Sequence, residues 1–151
     1  MRTNPSLDLC KNIKTGDFII MNFAEDQFGM SVAAGKLVSL SADQVKTMGL
    51  DIVLTHLNDY PNRRPDDVNE VNRMTRVQTR KFYGAHRVLG IRLLNPSVLR
   101  IGAIYGFTGT TRTGQPWQAW EIPLPATNEQ FLAVLDKAFT YLENPVEDES
   151  K

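Results

Sequence analysis

Leu40-Ser41-Ala42-Asp43-Gln44-Val45 carries the chain from an extended segment into a helix within six residues. Ser41 and Gln44 form an S-x-x-Q capping box, in which each side chain satisfies a backbone N–H that the first helical turn leaves unpaired. The spacing predicts a helix ending before Tyr60-Pro61, with Val45, Met48, Ile52 and Val53 on its apolar stripe and Leu50, Leu54 and Leu57 broadening it. A second passage of the same kind stands at Leu124-Pro125-Ala126-Thr127-Asn128-Glu129-Gln130-Phe131. Thr127 and Gln130 make its capping box, and Phe131, Leu135, Ala138 and Leu142 form the stripe of a helix that stops before Asn144-Pro145. Each stripe needs an apolar surface to bury against, so the segments around the two helices must supply a sheet.

Those segments read as strands. Phe18, Ile19, Ile20, Met21 and Phe23 form a short apolar run at 17–23, and Phe28 to Val32 returns through the turn Glu25-Asp26-Gln27 as a hairpin. Leu37 to Leu40 is a short extended lead into the first helix. Val98 to Phe107 places Leu99, Ile101 and Ala103 on one face. After a Gly- and Thr-rich loop, Trp117 to Leu124 returns antiparallel to it. Residues 61–67 lack any apolar side chain and read as an exposed connection, and residues 68–89 read as helical in part, broken at Gly84. The expected fold is α+β, a mainly antiparallel sheet carrying two amphipathic helices on one face, with a further basic helical segment. The expected boundaries are an N-terminal extension at 1–15, a single domain at 16–145 and an acidic tail at 146–151.

With 151 residues the chain is long enough to bury a core without disulfide or metal, and its one cysteine, Cys10, can form no internal bridge. The first residues lack the apolar run of a signal peptide, and no segment has the length of a membrane helix, so a cytoplasmic protein is expected. The 17 basic and 17 acidic residues cancel, yet they are segregated. Residues 71–120 hold Arg73, Arg76, Arg80, Lys81, Arg87, Arg92, Arg100 and Arg112 and no acid, whereas both flanks are net acidic. Such a block marks either a nucleic-acid surface or one half of an internal charge pairing.

Catalytic motifs are sparse. Gly109 to Gly114 mimics the start of a phosphate-binding loop, but Gln115-Pro116 stands where that loop requires Lys and Ser or Thr. His56 and Asp59 lie three apart near the end of the first helix, where the helix dipole favours a cation. His86, beside Arg87 and near Tyr83 and Lys81, would be the imidazole of a ribonuclease, though no second acid-base group is placed for it. Cys10 reads as a small buried residue. Trp117 and Trp120 point to opposite faces of their strand, one toward core and one available to a partner. Arg76, Arg80 and Lys81, with Phe82 and Tyr83 for stacking, form the candidate nucleic-acid surface. No metal or cofactor is expected.

The arrangement resembles the immunity proteins of bacterial contact-dependent growth inhibition systems over roughly residues 17–142. The resemblance rests on Thr75-Arg76-Val77-Gln78-Thr79-Arg80-Lys81-Phe82-Tyr83 ahead of a glycine-containing stretch, on the strand Leu99 to Ile104, and on Ile122-Pro123-Leu124-Pro125-Ala126-Thr127 leading into a helix with Leu132, Leu135, Ala138 and Phe139. Met48-Gly49 matches a small step in the family's first helix. Phe131-Leu132-Ala133 and Thr140-Tyr141-Leu142 depart from the pattern. The resemblance implies a non-enzymatic inhibitor that binds the C-terminal toxin domain of an effector, often a nuclease, in the cytosol of the producing cell. Acids would then face a cationic cleft, which points to Asp59, Asp66, Asp67 and Glu70 around the Pro-rich connection, with Arg112 and Trp117 on the Gly/Thr loop as further contacts.

Overall fold

Alternating apolar residues build the sheet, and the computed structural model describes residues 4–65, 73–103 and 118–143 of it and its helices. The strands are β1 (Ser6–Asn12), β2 (Phe18–Glu25), β3 (Ser31–Ala33), β4 (Val38–Leu40), β5 (His86–Asn95), β6 (Val98–Ala103) and β7 (Ala119–Pro123). They form an antiparallel sheet in the order β3-β2-β1-β5-β6-β7, with β4 also pairing with β2. The helices are α1 (Ala42–Asn58), α2 (Arg76–Ala85) and α3 (Asn128–Glu143).

Leu7, Leu9, Ile20, Leu89, Ile91, Leu99 and Ile101 point to one face, where they form a single core with Val53 and Leu57 of α1 and Phe131 and Leu135 of α3. The α+β architecture with two helices on one face is therefore as the capping boxes and stripes require. Both boxes close: Ser41 with Gln44 and Thr127 with Gln130. The stripe of α1 is as expected at Val45, Leu50, Val53 and Leu57, which are buried together with Gly49, and departs from expectation at Met48, which is 47% exposed. Met48 has non-helical backbone angles (φ −147°, ψ 26°), and that kink turns its side chain outward.

Two expectations are corrected. The stretch expected as an N-terminal extension, 1–15, holds a central strand instead: Ser6–Asn12 is hydrogen-bonded to β2 on one side and β5 on the other. The alternation Leu7-Asp8-Leu9 is short, and buried Cys10 on the opposite face breaks the simple apolar-polar rhythm. The second correction concerns residues 68–89, where the described helix is only Arg76–Ala85 and passes without a loop into β5 at His86, which takes extended angles. Gly84 stays helical, so the helix ends later than the break expected there. Its start is fixed by a third capping box, Thr75 with Gln78. No helix among the described residues is long and apolar enough to cross a membrane.

Candidate functional site

Asp26 builds the connection between β2 and β3. Its carboxylate accepts the N–H groups of Phe28 and Met30 at 2.9 and 2.8 Å. Its own N–H donates to the Met30 carbonyl at 2.8 Å, and its carbonyl accepts the Gly29 N–H at 3.1 Å. Gly29 sits at φ +77°, a conformation that side chains other than glycine's rarely adopt. The Asx-type bonding fixes the backbone at residues 26–30 while Phe28 and Met30 stay 79% and 62% exposed. The sequence reading put Phe28 inside a strand; the strand starts only at Ser31, because the turn uses the residues before it.

This turn joins the end of the molecule where α1 stops. The Tyr60 hydroxyl donates to Ser31 Oγ at 3.3 Å. Asp59, a predicted contact residue, caps α1 with its side chain 58% exposed and 3.7 Å from the Arg63 guanidinium. One turn earlier, His56 Nδ1 receives Asn22 Nδ2 at 3.2 Å and Arg63 Nη2 at 3.5 Å. A guanidinium only donates, so Nδ1 is the acceptor and the ring is the neutral tautomer protonated on Nε2. Burial first, and the Arg63 charge second, hold the His56 pKa below its usual 6.5, with Asp59 opposing. The cation that the helix dipole would favour is therefore not what this histidine supplies, and Asp59 bonds to Arg63 instead of to it.

The sheet face opposite α1 and α3 carries a second polar constellation. Asp8, Arg92, Arg100, Ser6 and Phe23 line a groove of about 270 Å³ whose floor includes Gly90 and Gly102. Burial pushes the Asp8 carboxyl up to about 7. Further along this face, burial and then the Asp8 charge raise the Cys10 thiol. Burial, followed by Asp8 and Cys10, pushes the Tyr83 hydroxyl of α2 up to about 12. Neither Asp8 nor Arg92 suggests itself as a site residue while β1 and β5 go unread; once their register is known, Asp8 sits opposite Gly90 and one step from Arg92.

Arg76, Arg80 and Lys81 are all exposed on α2, on a helix that bears no acid. His86 is buried; its Nδ1–H donates to the Phe82 carbonyl at 2.7 Å and its ring stacks on Phe82 at 4.3 Å. Trp120 is half-buried against Tyr141, ring centres 5.8 Å apart. Asp66, Asp67, Glu70, Arg112 and Trp117 lie outside the described residues. Among the described residues no group of three or more His, Cys, Asp or Glu is arranged to hold a metal ion.

No family model matches the chain, and no curated protein matches it. Among solved structures it is similar to a protein of unknown function from Neisseria meningitidis (NMB0488), with a TM-score of 0.56 and 15% sequence identity. The match covers 93% of this chain and 96% of that one. At that identity the likeness concerns the fold.

Proposed function

We infer that this chain is an immunity-type inhibitor, a protein that neutralises a toxin domain in the cytosol by docking onto it with the end that holds the β2–β3 turn and the C-terminus of α1. One observation carries the reading: Phe28 and Met30 are held outward by a turn whose backbone is already fixed by Asp26. Single exposed apolar residues are ordinary. Two large ones on a rigid turn are costly to leave in water and, being preorganised, lose little freedom when a partner covers them. Asp59 at the same end adds an exposed carboxylate suited to a cationic nuclease cleft, and Asp66, Asp67 and Glu70 follow it in sequence.

The test is rescue. The reading requires an effector encoded upstream, and co-expression of that effector's C-terminal domain with this chain should restore growth and give a complex by calorimetry. Phe28→Ser with Met30→Ser should weaken that complex by about 100-fold or more and leave the melting temperature in place. A soluble toxin domain that neither binds nor is neutralised overturns the reading. The exposed row Arg76, Arg80 and Lys81 favours nucleic-acid binding as the second reading. That reading requires affinity falling steeply with salt and lost when the three are made neutral.

A further inference from the structure

Gly90 and Gly102 face each other across the β5–β6 pair, and Gly90 also lies opposite Asp8 of β1. Neither takes a positive φ, so the backbone has no conformational need for glycine at either position. Glycine inside a strand weakens it, and its presence there marks a place where something approaches the backbone closely. Two in register, on strands with neighbours on both sides, remove two side chains from the middle of one sheet face and open the groove of about 270 Å³. Charged groups of both signs surround the gap. Asp8 stands on one side; Arg92 and Arg100, paired across β5 and β6, stand one step along the same face; Ser6, Ser31 and Phe23, with Leu7 and Ile91, complete the lining.

We propose that this groove binds a free α-amino acid, with its carboxylate on the guanidinium groups of Arg92 and Arg100, its ammonium on Asp8 and its side chain against Phe23. A ligand that is only an anion would meet the Asp8 carboxylate, and one that is only a cation would meet two arginines. A zwitterion satisfies both, and residues diagonal across neighbouring strands are spaced for its two ends. The volume lies just under that of pockets for drug-sized ligands, which suits one small metabolite. Neither Phe28 nor Met30 lines the groove, although Ser31 beside Met30 does, so Arg92→Gln tests this site without altering the proposed docking side chains.

The experiment is an amide NMR titration of the full chain with phenylalanine at about pH 8, where the Asp8 carboxyl is ionised, following Gly90 and Gly102. Saturable shifts are expected, with a midpoint at about 1 mM or below. 3-Phenylpropionate lacks the ammonium and phenethylamine lacks the carboxylate, so each should bind at least about tenfold more weakly. Arg92→Gln alters an exposed side chain and should weaken phenylalanine binding about tenfold; Asp8→Asn should do the same. If Asp8→Asn does not fold, Arg92→Gln decides. The proposal is overturned by the absence of saturable shifts up to about 10 mM with phenylalanine, leucine and glutamate. Phenylpropionate binding as tightly as phenylalanine, or Arg92→Gln binding as tightly as the natural chain, also overturns it.

Discussion

Asp8 and His56 are both titratable groups taken partly out of water, and they tilt stability in opposite directions with pH. The Asp8 carboxyl, at 3.8 in an unfolded chain and about 7 in the fold, binds its proton more tightly when native. Its contribution is therefore complete below the unfolded value and is lost as pH rises toward 7. Asp8→Asn removes this dependence. Urea titrations should show the variant gaining on the natural chain between acid and neutral pH, by about 4 kcal/mol. His56 runs the other way: its native pKa lies below 6.5, so the unfolded chain binds the proton first and stability drops as pH falls below 6.5. Because burial is the larger cause and Arg63 the second, Arg63→Gln should move the NMR titration midpoint of His56 upward while leaving it below the free value. A midpoint in the natural chain at or above 6.5 would show that Nδ1 does not accept from Asn22 and Arg63 as described.

The most telling element is α1, because its irregularity is held by a residue of another helix. At the Met48 kink, Asn128 of α3 puts its carboxamide into the gap between Lys46 and Leu50. Oδ1 accepts the Leu50 N–H at 2.9 Å and Nδ2 donates to the Lys46 carbonyl at 2.8 Å. Those two groups are the i, i−4 partners of a regular helix, so one side chain replaces one rung of the ladder. Asn128→Ala leaves both rung ends unpaired at a helix contact and should cost about 2 to 3 kcal/mol by denaturant melting. Gly49 lies beside this junction, where a Cβ would stand 3.1 Å from Val45 Cγ1 and 3.3 Å from Phe131 Cε2. Gly49→Ala, which in an open helix would add about 1 kcal/mol, should here lose about that much because the contact is overpacked. How far the elements are legible follows from range. Capping boxes and stripes act within a turn or two, so Ser41-Gln44 and Thr127-Gln130 mark the starts of α1 and α3, and Thr75-Gln78 was equally readable for α2. The Asn128 insertion spans 78 residues of chain and leaves no local pattern. β1 and β5 escape for a related reason: they are interrupted by Asp8, Gly90 and Arg92, residues that make sense only once the strands are side by side.

Across the whole molecule the sheet keeps its faces for different purposes. One face is committed to the core beneath α1 and α3, and the other carries Asp8, Arg92 and the glycine floor. The basic helix α2 enters β5 directly, whereas the rigid Phe28–Met30 turn lies with the C-terminus of α1. In the proposed contact the charge, Asp59, and the apolar anchor, Phe28 with Met30, belong to different side chains, and a partner should read them through separate rate constants. Long-range attraction acts on encounter and is screened by salt; desolvated side chains act on dissociation. For the toxin complex, stopped-flow association should slow about tenfold between about 0.02 and 0.5 M salt. Asp59→Asn should slow it further at low salt without touching dissociation. Phe28→Ser with Met30→Ser should speed dissociation and leave association nearly unchanged. Arg76→Gln with Arg80→Gln and Lys81→Gln should leave dissociation unchanged, since α2 lies outside the proposed contact. If that last variant alone abolishes binding, the working surface is the basic helix, and the turn is only an exposed hairpin.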